Sequence, residues 1–296
     1  MTDEPHPLGA YLRARRELVT PDQAGIPVLG QRRVPGLRRE EVAMLAGISA
    51  DYYLRLEQGR DRHPSVQVLE ALARVLQLDD DATAYLLGLG TDKPRRPRRR
   101  PRREVVPPGI TKLLATLPLP AFVEGRYFDV LAANPLATAV SPRLRVGGNR
   151  LRDVFLDPAE AALYPDWNAA TAALVAGFRQ SVGTDTDDPR FIALVGELSL
   201  ESPRFRQVWA RQDVRGREGA PVVLAHPQVG DLRLNREKLF ISGAEGMMLV
   251  VYHPDDGTDD ADKLALLGSA MLTAAPQPHL PAAAVTTGKA RATRSQ

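Results

Sequence analysis

The stretch Arg39–Gln58, REEVAMLAGISADYYLRLEQ, decides the reading of the fold. Val42, Ala43 and Ala46 stand at i, i+1 and i+4, a narrow apolar stripe in which the small Ala43 lets another helix come close. Gly47 ends that helix at a turn where a left-handed backbone is cheapest for glycine, and Ile48 is the apolar plug of the turn. Ser49 is a good N-cap for a second helix. Within it Tyr53 and Leu56, three apart, face inward, and Ala50, Asp51, Tyr52 and Arg55 fall on the other side.

This spacing is that of a helix-turn-helix, whose second helix enters the DNA major groove. The reading assigns DNA contact to Ser49, Ala50, Asp51, Tyr52 and Arg55 on that helix. Arg55 has the fork that matches the two acceptors of a guanine edge. Asp51 accepts from cytosine or only supports the first helical turn, and Tyr52 touches phosphate or a thymine methyl. Arg38 and Arg39 open the first motif helix, where free backbone N–H groups favour a phosphate oxygen. Arg60 and Arg62 follow the recognition helix in the next loop, and Arg32 and Arg33 in the preceding connection are further phosphate candidates.

The composition is compatible with that role. The chain has 296 residues, 44% of them hydrophobic, enough for two domains with cores of their own. Residues 1–107 hold 19 Lys+Arg against 15 Asp+Glu, a net charge of +4, whereas residues 108–296 hold 20 against 21, a net of −1. The basic excess therefore accompanies the helix-turn-helix motif. There are no cysteines, which excludes disulfides, thiolate metal sites and cysteine nucleophiles and fits a reducing compartment. With no run of eighteen apolar residues and an N-terminus rich in acids and prolines, a cytoplasmic protein that does not enter a membrane is expected.

In chain order, Leu8–Val19 has helical spacing. After the Pro- and Gly-rich connection 20–37 and the motif come a helix from Pro64-Ser65 with Val66, Leu69, Leu72, Ala73 and Leu76 inward, and a last helix, Asp80–Leu89. Five helices make an all-α bundle in residues 1–90. TDKPRRPRRRPRRE, residues 91–104, carries eight basic residues and three prolines. It opens a linker, 91–107, that is either a solubilising tether or an arm following phosphates or the minor groove. Residues 108–272 read as an α+β domain with an antiparallel sheet: a short helix at Ile110–Leu117, strands at Ala121–Val123 and Tyr127–Leu131 about a turn at Glu124-Gly125, a block of helices, and strand-like segments up to Pro254. The Ala-, Pro- and Thr-rich stretch 273–296 reads as a disordered tail.

The PGLRREEVAMLAGIS and YYLRLEQGR blocks resemble the XRE-type, phage-repressor-like (lambda-repressor-like) helix-turn-helix domain. That resemblance implies an ion pair between Arg16 of the first helix and Glu57 of the recognition helix; two separate solvated charges, more than about 4 Å apart, are the alternative. From Ile110 to Pro254 the blocks DVLAANP, VFLDP, YPDW, PRFIALVGELS, FRQVWARQDV, HPQVGDL and LVVYHP resemble the MmyB-like transcription regulators. The resemblance implies a PAS-like sensor domain for a small lipophilic ligand, with fatty acids as the class. A sensor needs an apolar cavity with a few polar anchors. The residues assigned to it are Tyr127, Trp167, Phe205 and Trp209 as lining, Arg206 or Arg211 for a carboxylate, His226 as a hydrogen-bonding group and Asn134 to order a turn.

The expected function is a sequence-specific DNA-binding transcriptional regulator, a homodimer on a double-stranded DNA operator, answering to a small-molecule effector, with no metal and no cofactor besides such a ligand. One alternative makes the second domain only a dimerisation or partner-contact module. Another makes it an enzyme, for which the sequence offers neither HExxH, GxSxG nor a phosphate-cradling glycine loop.

Overall fold

The computed structural model describes residues 6–27, 32, 34–91, 104–183, 186–214 and 220–274. The first five helices are α1 (Pro7–Leu18), α2 (Arg39–Ala46), α3 (Ala50–Glu57), α4 (Val66–Val75) and α5 (Asp80–Gly90). Their starts are set by short polar side chains: Ser49, Ser65 and Asp79 accept from the backbone N–H groups of Tyr52, Val68 and Ala82, donors the helices cannot satisfy themselves. Gly47 stops α2 at φ 69°. Leu8, Tyr11, Leu12, Leu37, Val42, Ala43, Tyr53, Leu56, Leu69, Leu72 and Leu86 form one core. Gly9 lets α1 lie against the end of α3, since a Cβ there would sit 2.3 Å from the Glu57 carbonyl oxygen.

The second domain carries α6 (Pro108–Thr116), β1 (Ala121–Glu124), β2 (Val130–Ala133), α7 (Pro135–Val140), α8 (Arg150–Leu156), α9 (Pro158–Ala161), α10 (Trp167–Val182), α11 (Pro189–Glu201), α12 (Pro203–Ala210), β3 (Ala220–His226), β4 (Gly230–Phe240), β5 (Met248–His253) and α13 (Asp260–Ala274). The five strands form one sheet in the order β2-β1-β5-β4-β3, every pair antiparallel. Alternation of side chains along the strands gives the sheet one face covered across all but the edge and a second covered over β1 and β5. Phe122, Leu224, Leu232, Leu234, Val250 and Tyr252 pack with Leu264 and Leu267 of α13 and Ala137 and Val140 of α7. Ala121, Val123 and Leu249 pack on the opposite side with Leu114 of α6. A third core joins Phe128 to α8, α10, α11 and α12 and sets aromatic rings among aliphatic side chains.

Several expectations change in detail. The second strand runs 130–133 and not 127–131. The carbonyls of Tyr127 and Phe128 are taken by Asn149 Nδ2 at 2.8 Å and the Arg150 N–H at 3.0 Å, and Phe128 has φ 63°, so this segment turns away before pairing with β1. The long apolar stretch after Leu151 is divided into α8, α9 and α10 by Pro158 and by the Asp166 cap. Helix α13 was not expected; it reaches Ala274, two residues into the stretch read as tail. Residues 275–296, and 92–103 of the basic linker, lie outside the described residues. Among the described residues no helix is long and apolar enough to cross a membrane.

Candidate DNA-binding face and effector site

The outer side of α3 is open. Ser49, Ala50, Asp51 and Arg55 are exposed and Tyr52 is half-buried, whereas Tyr53 and Leu56 are fully enclosed. Arg55 bonds to the Asp51 carboxylate one turn earlier, and its guanidinium carbon lies 5.6 Å from the centre of the Tyr52 ring. The fork is thus laid along the helix surface. To reach a base it must leave Asp51, so these residues act as one unit. Arg38 and Arg60 are exposed beside α3; Arg62 is also exposed, with Nε donating to the Gly59 carbonyl at 3.0 Å.

The remaining arginines near the motif are partly committed to the fold. Arg39 Nε lies 2.7 Å from Glu57 Oε2, and Arg16 Nε lies 2.6 Å from Glu57 Oε1. Burial alone would raise the Glu57 carboxyl, but the hydrogen bonds from Arg16 and Arg39 outweigh it and hold the group below the usual range. Arg32 holds Glu41 through two bonds of 2.7 Å. That bidentate pair leaves it poorly placed for the phosphate contact suggested by its position in the connection. Arg33 lies outside the described residues.

Four of the residues assigned to an effector come together. Tyr127, Trp167, Phe205 and Trp209 all belong to the aromatic core of the second domain. Phe205 and Trp209 stack at 5.6 Å with an interplanar angle of 11°, Phe155 meets Phe205 edge-on at 5.3 Å, and Phe178 stacks on Phe191 at 6.0 Å. The rings fill one another's space, so a ligand entering here must part them. Two surface recesses, of about 270 and 310 Å³, are lined instead by Arg143, Arg152 and Asp153 and have polar, charged walls.

The other four assigned residues serve elsewhere. Asn134 caps α7, accepting from Ala137 N at 2.9 Å and Ala121 N at 3.1 Å and donating to Leu119 O at 2.7 Å. His226 closes the β3–β4 turn, with Nε2 3.0 Å from Ala139 O and Nδ1 accepting from Gln228 N. Arg206 and Arg211 are exposed, the first donating to Ser199 O at 2.6 Å and the second to Asp213 Oδ2 at 2.8 Å. Arg206 follows the buried Phe205 by one position, about 100° around the helix, which turns it to solvent.

The buried cations of this domain are others. Arg179 of α10 is 4% exposed and lies with its guanidinium 3.9 Å from the Trp209 ring centre. Arg150 is 5% exposed and bonds to Glu124, which is 1% exposed, with Lys238 Nζ 3.5 Å from the other oxygen of the same carboxylate. Burial opposes ionisation of Glu124, but Lys238 and Arg150 prevail and keep it charged. In the sequence, the spacing of Arg179 from Val175, Ala176 and Val182 already puts it on the buried stripe of α10.

The segment 7–86 matches a helix-turn-helix domain family, and residues 106–267 match the MmyB-like transcription regulator ligand binding domain. A comparison with curated proteins gave no match. The ligand-binding match spans more than half of the chain and lies C-terminal to a helix-turn-helix whose recognition helix is open to solvent, and the chain therefore belongs to the family of MmyB-like transcription regulators, DNA-binding proteins with a ligand-binding domain.

Proposed function

We propose that the chain is a cytoplasmic, homodimeric regulator in which α3 of each copy enters the major groove of a two-fold operator and the aromatic core of the second domain takes up a fatty-acid-like ligand. The open face formed by Ala50, Asp51 and Arg55 is the observation that carries the DNA half. A single module of this size covers about 600–1,000 Å² of DNA, and pairing on a palindrome is the usual way to reach useful affinity. Support for the lipid half comes from Phe155, Phe178, Phe191, Phe205 and Trp209, a contiguous apolar body with a buried guanidinium at its edge. The domain's role is to bind and signal, not to turn over a substrate.

The test is native mass spectrometry of the full-length protein purified from its own host, followed by footprinting on genomic DNA with and without the co-purified molecule. The expected result is a dimer carrying an acid of about C12–C18 that protects a palindromic site and whose removal changes protection. A protein that is monomeric on DNA, or that carries no apolar ligand and is indifferent to added fatty acid, would refute the corresponding half.

A further inference from the structure

Among the described residues, the segment after α12 packs the ligand-binding domain against the DNA-binding domain. Val214, four residues past the end of α12, packs in the core of the helix-turn-helix bundle. Its neighbour Asp213 accepts from Arg15 of α1 at 2.6 Å. Behind these stands Arg179, which donates to the Trp209 carbonyl at 2.7 Å, bonds to the Gln212 side chain and meets the Tyr85 hydroxyl of α5 as a side-chain partner. Tyr85 in turn lies against Tyr11 of the bundle core, ring centres 5.3 Å apart. Next to Arg15 on α1 is Arg16, whose guanidinium holds Glu57 at the end of the recognition helix.

Arg179 is an unusual element in such a junction. It is almost wholly enclosed, and among the described residues no carboxylate oxygen bonds to it; the nearby Asp213 has its two oxygens on Arg15 and Arg211. Its Nε is buried without a partner. A buried cation whose nearest described carboxylate, Asp213, is already shared by two other arginines is costly, and apolar side chains of similar volume would hold two domains together better. The charge is explained if an anion arrives. Trp209 separates Arg179 from the aromatic core: the guanidinium lies over its ring and Phe205 is stacked with that same ring.

We propose that Arg179 is both the anchor for an acid-headed apolar ligand and the contact through which the helix-turn-helix bundle registers that ligand. This rests on the lipid-binding reading above and adds the residue and the consequence. The tail enters among Phe178, Phe191, Phe205 and Trp209 and displaces the Trp209 ring. The carboxylate then takes the guanidinium from the Trp209 carbonyl, Gln212 and Tyr85. Loss of those contacts loosens the seat of Gln212–Val214 against α1 and α5 and frees the bundle to reorient. Such a ligand shifts the equilibrium because it binds the undocked arrangement better, the only way a ligand can do so.

The experiment uses the full-length chain, dodecanoate and 1-dodecanol as probes, and calorimetry together with a distance measurement. The chain has no cysteine, so Met44→Cys on α2 and Leu200→Cys on α11, both exposed, place one spin label in each domain. Expected for the otherwise unaltered protein are a narrow distance distribution, at least about tenfold tighter binding of the acid than of the alcohol, which is about 1.4 kcal/mol, and a broadened distribution once dodecanoate is bound. Arg179→Met should bind both probes alike and be broad from the start. Tyr85→Phe, a milder change, should broaden the distribution while keeping the preference for the acid. Equal affinity for acid and alcohol in the unaltered chain, or a distance that dodecanoate leaves unchanged when bound, overturns the role of Arg179 while lipid binding stands. Failure of both probes to bind removes the lipid reading and this inference together.

Discussion

Arg16 Nε and Arg39 Nε approach the two oxygens of one buried carboxylate, that of Glu57, at 2.6 and 2.7 Å. Because Arg16 lies on α1, Arg39 on α2 and Glu57 at the end of α3, this single group locks the recognition helix to both helices behind it. The two arginines are not equivalent. The Arg16 side chain is 9% exposed and that of Arg39 is 43% exposed, so of the two only Arg39 is open to a partner from solvent.

Glu57→Gln is expected to destabilise the first domain by about 3–5 kcal/mol, the usual cost of leaving a buried charge without its partner. Denaturant melts monitored on the bundle check this. The effect also has a pH signature. The folded-state Glu57 carboxyl lies below the ordinary value, about 4.3, so its contribution is fully present above that value and disappears as pH falls through the lowered folded value. The difference between the unaltered protein and Glu57→Gln should therefore be constant near neutrality and shrink below about pH 4. A difference that persists unchanged into strong acid would contradict it.

The close approach of α1 to α3 makes a second, independent demand. A methyl group on residue 9 would press on backbone, 2.3 Å from the Glu57 carbonyl oxygen and 2.8 Å from that of Leu56, and backbone cannot swing aside as a side chain can. Gly9→Ala should cost about 1–3 kcal/mol, although alanine is the better helix former by about 1 kcal/mol. Thermal unfolding would show which term wins. A stabilised variant would mean that α1 can slide along α3.

How much could be read in advance depended on how local the interactions are. The cap of Ser49, the left-handed Gly47 and the inward Tyr53 and Leu56 are dictated by neighbours within a few residues, and the sequence pattern placed them. The aromatic residues of α10 and α12 were recognisable as apolar faces, and Trp167, Phe205 and Trp209 do share one core. What the pattern did not reveal were partners far along the chain. Arg39 belongs to Glu57, 18 positions away. Asn134 orders the chain between β2 and α7 as expected, through the α7 cap, whereas His226 carries chemistry that suits a ligand site but spends it on the β3–β4 turn. Arg206 and Arg211 sit in a distinctive block, whereas helical phase is the better guide to which guanidinium is enclosed, and on α10 it points to Arg179.

The buried cluster of Glu124, Arg150 and Lys238 allows a clean test of whether its charges are needed for stability. Glu124→Gln leaves two enclosed cations without a counter-charge and should cost the second domain about 3–5 kcal/mol. The joint replacement Glu124→Leu, Arg150→Met and Lys238→Met removes all three charges at similar volume and should be far less harmful than the single change, close to neutral in a denaturant titration. Should the triple variant prove the worse of the two, the charges themselves and not merely their balance are required for the fold.

With α3 docked in the major groove as proposed, Arg55 would meet a base edge and Arg60 the backbone, so the two should behave differently on DNA. Arg55 projects from the exposed face of α3 but is held by Asp51, so freeing it costs that contact, worth about 0.3–0.5 kcal/mol for an exposed pair one turn apart. Arg55→Ala should weaken binding to the cognate site by about 1–3 kcal/mol and abolish discrimination at one base pair. Asp51→Ala should leave affinity nearly unchanged or slightly raised if its main effect is to restrain Arg55, and should relax selectivity at an adjacent position if the carboxylate itself accepts from cytosine. Arg60→Ala should weaken cognate and scrambled DNA alike and reduce the slope of log affinity against log salt by about one. Titrations of the three variants against a panel of single-base-changed operators at several salt concentrations separate these outcomes. An Arg55→Ala protein that loses affinity uniformly over the whole panel would show that α3 holds the duplex without reading it.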